Sequence, residues 1–221
     1  MNEFKEKSYL VIKEAISKEL ANFVYNYFLI KKQCCDTMNN YKWLSPNTEE
    51  WGVYNDGQVP NTYSCYGDTA METLLLRVKP VMEDLTKLKL TETYSYARIY
   101  KKGDILKKHK DRPSCEISTT MNLGGDEWPI FIEPNKNVGV VDKKGYTPGD
   151  TKGQKVILKP GDMLVYRGCD LEHWREKFEG DHCVQVFLHY NDLDSEFKAD
   201  NIYDYRPHIG LPTWFKHKKY D

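Results

Sequence analysis

The chain has 221 residues, of which 40% are hydrophobic and 29% are charged. A chain of this length and composition can bury a sizeable core within one domain. Its formal net charge is −1, so no overall positive field attracts a nucleic acid or an anionic membrane. No apolar run reaches the roughly 18 residues of a membrane span. Composition therefore argues against membrane and nucleic-acid partners.

The first residues lack the apolar stretch of a secretory signal, and the six cysteines follow no zinc-binding spacing. Thiols without a disulfide framework are typical of a reducing compartment. We therefore expect a cytoplasmic protein with reduced cysteines. The sequence leaves the oligomeric state open.

The amino-terminal part of the chain predicts a strand, a helix and a loop. Residues 8–12 form a short apolar run, and Ser17 is a candidate N-cap for the helix that follows. The helical rhythm is carried by Leu20, Phe23, Val24, Tyr27, Phe28 and Lys31. Residues 33–67 have the composition of a long loop with one hairpin, and the sequence does not decide whether this loop acts as a lid.

A second amphipathic helix begins with a capping box at residues 69–72, and Pro80 predicts a kink within it. From residue 93 the chain alternates short strands with Gly and Pro turns, and residues 135–154 suggest a mobile excursion between strands. We expect a single domain over residues 1–221. It comprises amino-terminal support in residues 1–92, a β-rich core in 93–191 and a carboxy-terminal cover in 192–221.

Helices followed by strands predict an α+β fold. The expected core is a double-stranded β-helix of the jelly-roll or cupin type, with the amino-terminal helices supporting it.

The triplet of His109, Lys110 and Asp111 is the strongest chemical signal in this core. Side chains two residues apart on a strand share one face, so His109 and Asp111 can offer an imidazole and a carboxylate to one ion. Two His and one carboxylate on one side of a metal are typical of non-haem Fe(II) oxygenases. The alternative is a solvated polar strand end. Candidates for the second imidazole are His173, His182, His189, His208 and His217.

The surrounding pattern resembles a known family. Its elements are Tyr100 followed by Gly103, the His109 and Asp111 pair, the turn at residues 160–162, and His173 preceded by Glu172. Together these resemble the Fe(II)/2-oxoglutarate dioxygenase superfamily, and within it the prolyl 4-hydroxylase-like oxygenases of phages and bacteria. The resemblance runs from about residue 94 to residue 190. It implies iron held by His109, Asp111 and His173, with 2-oxoglutarate as co-substrate and ascorbate as a further candidate cofactor.

The resemblance also implies that Tyr100 contacts the 2-oxoglutarate carboxylate. The family's anchoring Arg or Lys falls at positions that here hold His182 and Cys183. Neither is a permanent cation, and a carboxylate clamp is best made by a guanidinium. We therefore rank Arg98, which shares a strand face with Tyr100, first as the anchor. Arg175 ranks second and His182 third.

The function implied is hydroxylation of peptidyl proline with release of succinate and CO2, with a peptide or protein as substrate. No catalytic residue beyond the metal ligands is predicted. Arg112 is a candidate substrate contact, although a surface salt bridge is the more common role for such a residue. The alternatives are an oxygenase acting on a small molecule or nucleobase, or a cupin-like module that binds a metal or ligand without turnover.

Overall fold

The computed structural model describes residues 3–44, 48–142, 145–197 and 201–216. Within these residues lie the helices α1 (Glu3–Lys7), α2 (Lys18–Asn40) and α3 (Thr69–Thr86). The strands are β1 (Tyr9–Ile12), β2 (Tyr63–Tyr66), β3 (Leu90–Lys101), β4 (Leu106–His109), β5 (Ile117–Gly125), β6 (Ile130–Ile132), β7 (Val140–Asp142), β8 (Gly145–Thr147), β9 (Gln154–Val156), β10 (Met163–Arg167), β11 (His173–Arg175) and β12 (His182–Asp192). No helix in this described part of the chain is long and apolar enough to cross a membrane.

Two antiparallel sheets form the centre of the molecule. The larger has the order β1-β10-β5-β12-β3-β2, and the smaller has the order β4-β11-β6-β9. Apolar side chains of both sheets share clusters, such as Tyr100 of β3 with Leu106 of β4, and Leu164 of β10 with Ile132 of β6. Two antiparallel sheets packed in this way form a jelly roll. The predicted α+β double-stranded β-helix is thus confirmed.

Strand β12 shows how the sequence divides the core. Val184 and Val186 belong to the cluster beneath the helices, whereas Cys183 and Phe187 belong to the cluster between the two sheets. This alternation follows from the two-residue period of a strand. Both faces of β12 are therefore buried, and only the inner face can contribute to a site inside the barrel.

Helices α2 and α3 pack on the outer face of the larger sheet, where Val24, Phe28 and Leu75 join the cluster that holds Val184. Ser17 caps α2 as predicted, since its hydroxyl accepts the backbone N–H of Leu20 at 3.2 Å.

One detail of α3 differs from expectation. Its cap is Asp68 rather than Thr69, because the Asp68 carboxylate accepts the N–H groups of Ala70 and Met71. The helix continues through Pro80 over its whole range, and the predicted kink there stays a prediction.

Two predictions for residues 17–67 are wrong in part. Phe23 was assigned to the buried face of α2, but its side chain is 70% exposed, because the helix turns Ala21, Val24 and Phe28 inward instead. Residues 33–67 are not one long loop. Helix α2 extends to Asn40, and Tyr63–Tyr66 form an edge strand paired with β3.

The predicted excursion at residues 135–154 contains the hairpin β7–β8, which the sequence did not predict. This hairpin is attached to the smaller sheet. The hydroxyl of Tyr146 and the N–H of Gly149 both donate to Glu172 Oε1, at 2.5 and 2.8 Å. The ammonium of Lys108 donates to the carbonyls of Gly149 and Thr151. Because Lys108 and Glu172 directly precede His109 and His173 in the chain, the hairpin is fixed beside the candidate metal ligands.

Candidate active site

Three predicted ligands converge at one end of the barrel. His109 ends β4 and His173 begins β11, and the two residues are partners in the antiparallel register. Asp111 Oδ1 lies 3.7 Å from Nε2 of His109 and 3.5 Å from Nε2 of His173. One ligand atom from each residue lies within 4.8 Å of the other two, which is a spacing suited to a shared metal ion.

Hydrogen bonds orient each of these side chains. Nδ1 of His109 lies 2.7 Å from the carbonyl of Lys107, and Nδ1 of His173 lies 2.9 Å from that of Leu171. A carbonyl only accepts, so each Nδ1 carries the proton and each Nε2 keeps its lone pair. Ser118 donates its hydroxyl to Oδ2 of Asp111 at 2.6 Å. These bonds do not involve Nε2 of the two histidines or Oδ1 of Asp111, and these three atoms face one another.

The protonation states also suit a metal. Burial, followed by the charge of His173, lowers the pKa of His109 to about 4. Burial alone would raise the pKa of Asp111, but the neighbouring imidazoles of His173 and His109 outweigh it and hold that pKa well below its usual range. A neutral imidazole and an ionised carboxylate are the forms that bind metals.

The triad lies in a cavity of about 350 Å³. This volume is at the lower end of the roughly 300–1,000 Å³ of small-ligand pockets. Its aromatic walls are Tyr66, Tyr94, Tyr96, Tyr166 and Phe187. Its charged and amide lining beyond the triad includes Asp56, Gln58, Arg98, Arg112 and Lys216. The cavity can therefore take a small co-substrate and one further group of side-chain size.

The carboxy-terminal segment closes one side of this cavity. Arg112 donates to both carboxylate oxygens of Asp204, at 2.6 and 2.8 Å, and Lys216 contacts the same carboxylate at 2.6 Å. Further along, buried Arg206 pairs with Glu72 of α3 at 2.7 Å. Arg112, a candidate substrate contact, is thus engaged with the chain's own Asp204.

Arg98 lines the cavity and is 5% exposed. Its Nη1 donates to the hydroxyl of Tyr100 at 3.2 Å, and its Nη2 forms an ion pair with Asp56. Arg98 and Tyr100 therefore share a strand face as predicted, but the charge of Arg98 is already compensated by a carboxylate from the loop before β2.

Arg175 is 1% exposed and is not among the residues that line the cavity of the triad. Its guanidinium donates to the carbonyl of Trp128 and to the hydroxyl of Thr120, while its Nε is buried without a partner. Among the residues that the structure describes, no carboxylate forms an ion pair with it. Burial lowers the pKa of Arg175 for this reason, despite the nearby polar groups of Cys183 and Tyr100. Arg175 is a buried cation that lacks an anion.

Comparison with known proteins adds the fold family. The sequence matches no protein-family model and no curated protein. The structure is similar to a prolyl-4-hydroxylase of Pseudomonas putida, with a TM-score of 0.52 at 12% identity, covering 86% of this chain and 95% of that chain. It is also similar to HygX from Streptomyces hygroscopicus with nickel and 2-oxoglutarate bound, with a TM-score of 0.53 at 14% identity, covering 86% of this chain and 85% of that chain. A third similar structure is EctD from S. alaskensis with bound Fe, with a TM-score of 0.55 at 16% identity, covering 91% of this chain and 80% of that chain.

The chain has the fold of the Fe(II)/2-oxoglutarate oxygenases. Structures of similar fold include a prolyl-4-hydroxylase, a carbocyclase and an epimerase, so the shared fold leaves the substrate open.

Within this oxygenase fold, His182 does not face the site. Its Nε2 lies 2.5 Å from the hydroxyl of Tyr25 in α2, and the two rings stack on the outer side of the larger sheet. The strand alternation that puts Cys183 inside the barrel puts His182 outside it. His182 is therefore a poor candidate for the co-substrate anchor, whereas Arg175 lies close to the inward Cys183.

The other candidate histidines are not part of the triad of His109, Asp111 and His173. His189 lies inside the oxygenase barrel, where its Nδ1 is 3.0 Å from the Ser118 hydroxyl that bonds Asp111. His208 is exposed and contacts the carbonyl of Ile209. His217 lies outside the described residues.

Sequence reasoning missed Ser118 and Gly168, which both support Asp111. A Cβ added to Gly168 would lie 2.3 Å from Asp111 Oδ2, so only a glycine leaves room for that carboxylate. The carbonyl of Gly168 also accepts the N–H of Asp111 at 2.8 Å. The available signals were the alternation of β5, which turns Ser118 inward, and the glycine in the turn before β11.

Proposed function

We propose that the chain is an Fe(II)- and 2-oxoglutarate-dependent hydroxylase. The observation that carries this proposal is the convergence of two imidazole nitrogens and one carboxylate oxygen within 4.8 Å, at the wall of a cavity. Nitrogen and oxygen donors of this kind suit iron, and three protein ligands leave further positions on the metal for a co-substrate.

In this proposal His109, Asp111 and His173 hold the iron, and no further catalytic residue is needed. Their hydrogen bonds to backbone carbonyls and to Ser118 fix the donors before the metal arrives, which reduces the cost of ordering them. Ascorbate remains a candidate additional cofactor, which would act by keeping the iron reduced.

We propose Arg175 as the anchor of the distal 2-oxoglutarate carboxylate, with the hydroxyls of Tyr100 and Thr120 as its neighbours. An unpaired buried cation costs several kcal/mol. A bound carboxylate would remove that cost, whereas Arg98 already has Asp56. This reverses the order expected from the sequence, and the reason is the ion pair of Arg98.

Iron and 2-oxoglutarate, when bound, would serve to activate O2, with one oxygen atom entering a substrate C–H bond and the other entering succinate as 2-oxoglutarate loses CO2. The chain's own residues position the reactants and exclude water. Tyr94, Tyr96 and Phe187 form the apolar walls near the triad, and buried Tyr166 contacts the ring of His173 at 4.6 Å between centroids. Such walls strengthen the electrostatic contacts within the site.

Peptidyl proline is the proposed substrate, with a peptide or protein as the partner. The sequence resemblance and the likeness to a prolyl-4-hydroxylase support this choice. A cytoplasmic location is also proposed, supported by six cysteines that are all free. The test is incubation with Fe(II), 2-oxoglutarate, O2 and a library of proline-containing peptides. Stoichiometric succinate and a one-oxygen mass gain on proline are expected. A mass gain on another class of molecule would reject proline, and an absence of succinate would reject the hydroxylase.

A further inference from the structure

Arg98, Arg112 and Lys216 are the cationic residues among those lining the described cavity. Arg112 and Lys216 both contact Asp204, and Arg112 also donates to the hydroxyl of Ser114 at 2.6 Å. Their capacity to bind a ligand is reduced because a buried carboxylate of the chain already engages them.

Arg98 differs because one of its hydrogen-bond donors has no acceptor among the described residues. Its guanidinium donates to Asp56 and Tyr100, but its Nε is buried and has no partner among the described residues. A buried donor without an acceptor is costly, and such groups in folded proteins call for a water or a ligand. Because Arg98 lines the same cavity as the triad, that ligand would lie next to the reactive centre.

Asp56 compensates the charge of Arg98 but offers little to a ligand. Oδ1 accepts the N–H groups of Gln58 and Val59, at 2.7 and 3.4 Å. Oδ2 accepts the hydroxyl of Tyr96 and the guanidinium of Arg98. A carboxylate has about four lone-pair sites, and four donors already occupy them. The pair therefore presents donors without a net positive charge and without a free acceptor for an ammonium group.

Aromatic rings lie beside the guanidinium of Arg98. The guanidinium carbon of Arg98 lies 4.9 Å from the ring centre of Tyr96 and 6.0 Å from that of Phe187. These surfaces favour an apolar group of the substrate close to the group that Arg98 binds.

We propose that Arg98, held by Asp56, is the substrate-recognition residue of this cavity, and that the group it binds is the uncharged carbonyl oxygen of a peptide-type amide. A free carboxylate would lose its hydration without gaining an uncompensated cation. A free amino acid would also bring an ammonium group close to Arg98, Arg112 and Lys216 with no unoccupied carboxylate to receive it. The inference rests on the proposed function, because it names the group of a peptide substrate that the same site would recognise.

The test compares two sets of probes. One set contains the N-acetyl methylamides of the twenty amino acids, and the other contains the same amino acids in free form. Binding to the protein with Fe(II) and 2-oxoglutarate is measured without oxygen by saturation-transfer NMR, and one-oxygen products are then measured in air. The amide set is expected to bind and react at least ten-fold better. Preference for the free amino acids, or binding of neither set, overturns the proposal.

Two variants test the residues. Arg98→Lys keeps the cation but removes the Nε donor, so amide binding should weaken about ten-fold or more. Asp56→Asn removes the compensating charge, so N-acetyl amino acids with a free carboxylate should gain affinity relative to the amides. Arg167→Lys is the matched control, because Arg167 is not among the cavity-lining residues. Unchanged amide binding in Arg98→Lys, with native circular dichroism, contradicts the assignment.

The experiments distinguish a wrong substrate class from a wrong assignment of hydroxylase activity. A parent protein that forms succinate from 2-oxoglutarate but hydroxylates free amino acids keeps the proposed hydroxylase activity and loses both the peptide substrate and this inference. A parent that binds the amides through Arg98 but forms no succinate retains the recognition residue and loses the hydroxylase.

Discussion

At the scale of single residues, Arg175 is the buried cation that we propose as the anchor of 2-oxoglutarate. It is 1% exposed and has hydroxyl and carbonyl partners but no carboxylate partner among the described residues. We expect Arg175→Leu to weaken 2-oxoglutarate binding by roughly thirty-fold or more, because a charge-assisted pair contributes about 2 kcal/mol or more. Isothermal titration of 2-oxoglutarate into the metal-loaded protein measures this.

His182→Leu is the control for this change, since His182 contacts Tyr25 on the outer side of the sheet. Its 2-oxoglutarate affinity should stay within about two-fold of the parent. If Arg98→Leu or His182→Leu lost the affinity while Arg175→Leu kept it, the anchor would be misassigned.

Ser118 is a second residue whose role can be measured. Its hydroxyl fixes Oδ2 of Asp111 at 2.6 Å. Removing a partner of a metal-binding carboxylate commonly lowers metal affinity about 10- to 100-fold, and we expect that loss in Ser118→Ala. Metal affinity can be measured by competition with a chelating dye. Ser95→Ala is a matched control, because the hydroxyl of Ser95 is buried but has no partner in the described part of the chain. Equal affinities in the two variants would contradict the role.

Some of these residues could be predicted and others could not. His109 and Asp111 share a face because strands alternate, and His173 followed from the family pattern. The partner of Arg98 could not be foreseen, because Asp56 lies 42 residues away in a loop without periodicity. The orientation of His182 depends on which face of β12 meets α2, and only the packing of that helix decides it.

At the scale of elements, the hairpin β7–β8 is held against the strand that carries His173. We expect Tyr146→Phe to remove the bond to Glu172 and to accelerate amide hydrogen exchange in residues 140–142 and 145–147 by about ten-fold. Mass spectrometry of exchanged peptides measures this. Tyr41→Phe serves as an exposed control and should leave the hairpin unchanged. An unaltered exchange rate in Tyr146→Phe would mean that the Glu172 contact does not hold the hairpin.

The element boundaries show where sequence reasoning succeeds and fails. The cap at Ser17 and the strands of the β-rich core were readable from local chemistry. The length of α2 was not, because residues 33–40 carry few apolar side chains, and Cys35 is buried there by tertiary packing. Composition also suggested mobility for residues 135–154, whereas the attachment to Glu172 is a long-range contact that composition cannot reveal.

At the scale of the whole molecule, buried imidazoles make the metal-free protein sensitive to acid. Burial lowers the pKa of His189 to about 4, from an ordinary value of 6.5. The unfolded chain therefore binds more protons than the folded chain between these two values, so the free energy of unfolding falls as the pH drops from 6.5 to 4. This shift corresponds to a loss on the order of 3 kcal/mol for His189, and His109 shifts in the same direction.

Urea unfolding of the metal-free protein from pH 7.5 to pH 4 measures this loss. His189→Leu should show a shallower dependence on pH than the parent, while His208→Ala, at an exposed position, should follow the parent. A parent protein with constant stability over this range would contradict the burial of neutral imidazoles.

The measurement that tests the central claim most directly is an anaerobic titration of the metal-free protein with Fe(II) in the presence of 2-oxoglutarate, followed by visible absorption. The parent should bind one iron and develop the weak charge-transfer band of an iron–2-oxoglutarate chelate. His173→Ala should lose most of its iron affinity and the band while remaining folded, because the barrel core is independent of that ligand. Full iron loading with an unchanged band in His173→Ala, or no band in the parent, would contradict a site formed by His109, Asp111 and His173.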